Sequence, residues 1–231
     1  MSTTPSTASR LRRLTAGSAL ILFPALLVVE APLDPTGQGS GADLYAAATQ
    51  HPGALVTSAV LLIVSGVLMA PAAAGILHQA RDRGAALANV GAVLAVLGGF
   101  GHFGIAMFYL VGSSLPGGNP AEMVAFVDRL NVSPEIGLVA FPLIMCFGLG
   151  VLVLPWAAWR AGAIHWWVPA VTTAAVLVEE LSPFRSTVVT VVVLTAVTVA
   201  YTALGVRVLR MSDAAWAGVP SALRAQEPAR L

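Results

Sequence analysis

The sequence predicts an all-α fold, a polytopic membrane helix bundle of six transmembrane helices with both chain ends on the cytoplasmic side. Three observations predict it. Of 231 residues, 57% are hydrophobic and only 10% charged, a balance found in membrane proteins rather than in soluble domains. Apolar runs long enough to cross a bilayer, roughly 20 residues each, recur along the whole chain. The twelve basic residues, all of them arginine, gather in alternate connections.

The spans fall at 14–32, 53–77, 85–112, 136–158, 165–183 and 187–209. Residues 1–13 and 210–231 are then cytoplasmic tails around one transmembrane domain, 14–209. Arg10, Arg12 and Arg13 precede the first apolar run as in a secretory signal, but that run contains Pro24 and ends at Glu30-Ala31-Pro32 without a small-residue cleavage site. An uncleaved first helix is the better reading. The connections after the first and third spans are long and rich in Gly, Pro and Asn. Each holds a short amphipathic helix, at 42–50 and at 121–130, leading to a proline at His51-Pro52 or Ser133-Pro134. Stretch 66–71 echoes stretch 150–155, so a weak internal duplication stands beside chance resemblance between Gly/Ala/Val-rich spans.

Arginine placement orients the bundle. Arg10, Arg12, Arg13, Arg81, Arg83, Arg160, Arg207, Arg210, Arg224 and Arg230 lie on one side and only Arg129 and Arg185 on the other. By the positive-inside rule the richer side is cytoplasmic, which requires an even number of spans. Trp156, Trp159, Trp166 and Trp167 surround the third cytoplasmic turn, where an interfacial aromatic belt belongs. Gly91, Gly98, Gly99, Gly101 and Gly104 on the third span, with Gly148 and Gly150 on the fourth, mark close helix packing. The organisation is that of a multi-pass bacterial cell-membrane protein.

Composition also excludes chemistry. A net charge of +1 gives no basis for nucleic-acid binding, and the absence of lysine rules out a retinal Schiff base or other lysine-based covalent catalysis. Cys146 stands alone, so no disulfide or multi-thiolate site forms within one chain. His78 lies at the cytoplasmic end, His51 and His165 are interfacial, and none matches the depth of His102, so neither a metal nor a haem site is expected. No phosphate loop, nucleotide-binding glycine fingerprint, zinc-protease pattern or nucleophile elbow is present, and no organic cofactor is implied.

What remains is concentrated in the outer half. Glu30, Asp34, Asp43, Glu122, Asp128, Glu135, Glu179 and Glu180 are outer, against Asp82, Asp213 and Glu227 inside. Glu30, Glu179 and Glu180 lie within or at the edge of apolar helices, where ionisable groups are costly. At 1.5 Å per residue the two helix-five glutamates sit roughly 5 Å below its outer end, and they point about 100° apart. One of them is open to an ion pair with Arg185, and Glu30 to being a solvated helix-end carboxylate. His102 lies about 25 Å along the third span; a hydrogen-bonded core histidine and a proton-relay or substrate contact are its alternatives. Phe100, Phe103, Phe108 and Tyr109 flank it, with Phe141 and Phe147 on the fourth span and Phe184 in the outer turn. Together with Glu30, Glu179, Glu180 and Glu135 as carboxylates at the rim, these aromatics outline an apolar cavity opening outward.

In length, helix count, outer carboxylates and aromatic lining, the chain resembles the small integral-membrane terpene cyclases, among them the actinomycete enzymes that cyclise farnesylated indoles. The resemblance covers the whole chain as architecture and rests on no motif. It implies a cofactor-independent cyclase acting on a lipophilic isoprenoid substrate by proton-initiated carbocation chemistry. Glu30, Glu179 and Glu180 become candidate acids, with Phe100, His102, Phe103, Tyr109, Glu135, Phe141, Phe147 and Arg185 lining the substrate site. A carboxylic acid kept protonated by apolar surroundings can protonate an alkene or epoxide, and aromatic faces stabilise the resulting cation. A small-molecule transporter, for which Pro24, Pro71, Pro142 and Pro155 supply helix breaks, and a non-catalytic membrane partner or regulatory protein are the alternatives.

Overall fold

A computed structural model describes residues 7–37, 39–181 and 186–217, with the side chains of Glu180 and Ala214 outside the described set. The described residues form nine helices: α1 (Thr7–Glu30), α2 (Gly41–Gln50), α3 (Pro52–Ala80), α4 (Ala85–Gly112), α5 (Pro120–Asn131), α6 (Pro134–Arg160), α7 (Trp167–Leu181), α8 (Thr187–Arg210) and α9 (Asp213–Trp216). Five of them, α1, α3, α4, α6 and α8, are long and apolar enough to cross a membrane. With 15 residues, α7 is about 22 Å long, short of a hydrocarbon core of roughly 30 Å.

The boundaries follow local chemistry. Ser40 and Asp43 form a capping box at α2. Pro52 and Pro134 open α3 and α6, where a missing N–H is tolerated and φ is already helical. Ser133 and Ser186 cap α6 and α8 through their hydroxyls. Gly84, between α3 and α4, has φ of 89°, a left-handed conformation that favours glycine. At the N-terminus, α1 begins at Thr7, inside the segment assigned to the tail, because the Ala, Leu and Arg residues there are good helix formers and Arg13 is buried against the end of α8.

Helices α1, α3, α4, α6, α7 and α8 follow one another around a ring, and α8 closes on α1. The lightest joint is α6 against α7. Small residues make the close joints. A methyl added to Gly66 or Gly99 would lie 2.8 Å from the other's carbonyl oxygen, one added to Gly101 2.9 Å from the Leu143 carbonyl, and Gly98 is pressed against the Phe147 backbone. Without a hydrophobic drive between helices in lipid, this backbone approach is what provides attraction. Gly104 differs, facing open space.

The bundle has two unlike ends. Arg13 pairs with Asp213, and His78 meets the Trp216 carbonyl at 2.6 Å, so both described termini and the end of α3 share one end. This arginine end also holds Arg10, Arg12, Arg81, Arg83, Arg160, Arg207 and Arg210. The opposite end is roofed by α2 and α5, joined by Gly41 N–H donating to Asp128 at 2.8 Å and Asn131 donating to the Gly39 carbonyl at 3.0 Å. At the turn joining α6 and α7, Trp159, Trp166 and Trp167 are exposed, and the partly buried Trp156 donates to Thr173 at 3.0 Å.

Mid-bundle, the fully buried Tyr201 of α8 packs edge-on to Phe23 and donates from its hydroxyl to the Val151 carbonyl at 2.8 Å. That carbonyl lost its helical partner because residue 155, four positions on, is proline. Tyr201→Phe is therefore expected to cost about 1–3 kcal/mol by leaving a buried carbonyl unsatisfied. Adding Pro155→Ala restores an N–H to Val151 and should recover most of the loss. Thermal unfolding of the two single variants and the double variant measures this coupling, and additive losses would refute it.

Candidate functional site

Two polar sites lie at the roofed end. The first is built where α1 ends. Glu30 is 8% exposed and its carbonyl accepts from the N–H groups of Leu33 and Asp34, turning the chain back over the bundle. Asp34 then accepts from Thr36 N–H at 2.9 Å and Thr36 Oγ1 at 2.7 Å, and from the Tyr109 hydroxyl of α4 at 2.9 Å. Ser58 of α3, fully buried, faces Glu30, but its hydroxyl forms no hydrogen bond of normal geometry. Tyr109 is thus committed to holding the first connection onto α4. Asp34, Thr36 and Ser58 are the members that sequence reasoning missed as site residues; Asp34 was legible only as one outer acid among several.

The second site is a cavity of about 130 Å³ between α1, α6, α7 and α8. Its walls are apolar, with Phe23 and Leu27 from α1, Phe147 from α6 and Val197 from α8, and its one ionisable group is Glu179. Glu179 Oε1 accepts from Thr190 Oγ1 at 3.0 Å, while Oε2 is buried with no hydrogen-bond partner. No guanidinium pairs with this carboxyl among the described residues. Phe147 also packs against His102, with ring centroids 4.3 Å apart and planes tilted by 40°, so it stands between the cavity and that histidine. His102 is 7% exposed, and its Nδ1 is buried without a partner.

The expected outer cavity is therefore divided. Glu30 and Tyr109 belong to the first site, Glu179 and Phe147 to the second, and His102 lies behind Phe147. Phe100 and Phe141, 58% and 62% exposed, line neither site. Phe100 shares an outward stripe with Gly104, Met107 and Val111, spaced at helical intervals on α4. Phe103 is half-buried, and Phe108 packs into the apolar cluster under the roof. Glu135 is exposed and accepts from Ser133 at 2.7 Å, so it serves the start of α6 instead of a cavity rim. Phe184, Arg185 and the side chain of Glu180 lie outside the described residues, and with them the expected ion pair. Among the described residues, no group of three or more His, Cys, Asp or Glu side chains is placed to hold a metal ion.

Thr190 and Phe23 were also missed. The first could have been found from the shortness of the connection between α7 and α8, which requires the start of α8 to lie alongside the end of α7. Chemically, the second site offers one carboxyl oxygen, free to donate or accept a single hydrogen bond, to an otherwise apolar guest. No protein-family model, curated protein or solved structure matches the chain.

Proposed function

We propose that the chain crosses the bacterial cell membrane six times with its arginine end in the cytoplasm, and that it cyclises an isoprenoid-bearing lipophilic substrate at Glu179. The arginine end supports the orientation through the positive-inside rule. As the sixth span, α7 crosses with its short length made up by the tryptophan-rich turn at one end. The observation that carries the chemistry is the Glu179 carboxyl, which lines an apolar cavity walled by Phe23 and Phe147 and whose Oε2 is buried without a hydrogen-bond partner.

In this reading Thr190 holds Oε1, and the acid proton on Oε2 is delivered to a terminal alkene or epoxide. The O–H bond of the acid and the alkene π bond, or an epoxide C–O bond, break as the new C–H or O–H bond forms. The π pair of an internal alkene closes a C–C bond onto the cation, and a C–H bond next to the final cation gives its proton back to the Glu179 carboxylate, regenerating the acid. The product is an isomer of unchanged mass. Aromatic faces at Phe23 and Phe147 stabilise the travelling charge. A ligand pocket ordinarily offers about 300–1,000 Å³, so the cavity must grow, and the light α6/α7 joint and the Phe147 side chain are where it can.

The cavity volume favours one other reading, a receptor site for a small apolar guest without chemistry, since an apolar cavity of about 150 Å³ accommodates a molecule the size of benzene. Membranes holding the protein, incubated with farnesylated indoles and analysed by mass spectrometry, separate the two. A product isomeric with its substrate supports the cyclase. Folded protein that converts no prenylated substrate leaves only the binding site.

A further inference from the structure

We propose that the cleft between the start of α7 and the end of α8 binds an anionic phospholipid, its phosphate held by Arg207 and Arg210. The cleft has a volume of about 410 Å³, roughly three times that of the Glu179 cavity, and it lies at the arginine end. Arg207 and Arg210 stand three residues apart on α8, one helical turn, and both line it. Neither makes an ion pair or hydrogen bond among the described residues, in contrast to Arg13, which is consumed by Asp213 and the α8 carbonyls.

Two guanidinium groups on one face, with no carboxylate between them, call for a compact anion that offers several acceptor oxygens, which is the geometry of a phosphate. The helix dipole explains basic residues in the last turn of α8, but not why they border a cleft. The rest of the lining indicates what the phosphate is attached to. The exposed His165 and Trp167 line it, a polar and aromatic pairing suited to a headgroup layer, while the buried Val168 and half-buried Ala203 add an apolar wall between the helices. Free phosphate would have no use for that wall, whereas a lipid would lay its first methylenes along it. Basic clefts between membrane helices on the cytoplasmic side recognise anionic headgroups in this way. The inference rests on the membrane orientation proposed above and is independent of any chemistry at Glu179.

The test uses the full chain in nanodiscs of phosphatidylcholine with increasing phosphatidylglycerol. Native mass spectrometry reads the retained lipid, and thermal unfolding reads the stabilisation. Preferential retention of phosphatidylglycerol with a rising midpoint is expected. Arg207→Gln and Arg210→Gln should each weaken the apparent affinity about tenfold, the scale of one charge-assisted hydrogen bond. Both arginines are exposed and carry no structural contact, so these variants should fold, which circular dichroism confirms. Arg83→Gln removes the same charge from the same end outside the cleft and should leave the affinity unchanged. The proposal is overturned by equal retention of both lipids or by an equal loss in Arg83→Gln, which would mean diffuse electrostatics. Stabilisation by inorganic phosphate alone, matching that by the lipid, would also overturn it.

Discussion

Replacing Glu179 by glutamine is expected to lower isomer formation by about 10²–10⁴-fold, the usual contribution of a positioned acid, while leaving the fold intact. Glutamine has nearly the same shape. Its carbonyl oxygen can still accept from Thr190, which now lies 3.0 Å from Oε1, and its amide takes the place of Oε2 at the cavity wall. What it cannot do is transfer a proton to carbon. Thr190→Val is expected to have a smaller effect, about tenfold, because it removes the hydrogen bond that aims the carboxyl and leaves the acid in place. Glu30→Gln tests the competing assignment. Glu30 adjoins Asp34, Ser58 and Tyr109 and does not line the cavity, so turnover should change by no more than a few-fold, with any effect seen in thermal unfolding instead. Isomer formed per mole of folded protein is the quantity to compare. An active Glu179→Gln beside an inactive Glu30→Gln would move the acid to the end of α1.

How much of this was legible in the sequence depends on which physical signal each feature leaves. The long helices announce themselves through hydropathy alone, and α3 and α6 begin at Pro52 and Pro134 because proline is stable in the first helical position and disruptive later. The roof helices are visible from their caps and amphipathic pattern. In contrast, α7 starts at Trp167, two residues inside the apolar run read from 165, because hydropathy continues through the turn that still holds Trp166.

The candidate site was harder to read because depth along a helix can be counted, but the direction a side chain faces depends on its neighbours. Phe100 and His102 are close in sequence and similar in depth, yet at about 100° per residue they point roughly 200° apart. One faces outward and the other is buried. Likewise Glu30 and Glu179 lie at the same end of the bundle, and only the ring order of helices assigns them to different surroundings. Small residues carried better information. Gly98, Gly99 and Gly101 mark joints because a glycine in the middle of a helix costs about 1 kcal/mol relative to alanine, and close packing is what offsets it.

Arg13→Met is expected to destabilise the protein by about 3 kcal/mol, between the small value of an exposed ion pair and the 3–5 kcal/mol of breaking a buried one. Arg13 Nη2 lies 3.0 Å from Asp213 Oδ1, with side-chain exposures of 10% for the arginine and 29% for the aspartate. The same guanidinium reaches the carbonyls of Val208 and Leu209, in the last turn of α8. Helix-end carbonyls have no partner within their own helix; the Met211 N–H serves the Val208 carbonyl at 3.2 Å, and Arg13 supplies the donor for Leu209 from the other end of the chain, fastening the first long helix to the last. Methionine keeps the aliphatic packing and removes only the charge and the donors. Asp213→Asn should cost less, about 1 kcal/mol, because the aspartate is partly solvated and the carbonyl contacts persist. In Arg13→Met the aspartate is left part-buried and unpaired. The double variant is then expected to be no less stable than Arg13→Met alone, since Asp213 has no partner left to lose. Thermal unfolding of the three proteins in one detergent decides the matter, and losses that simply add would show that the two residues act independently.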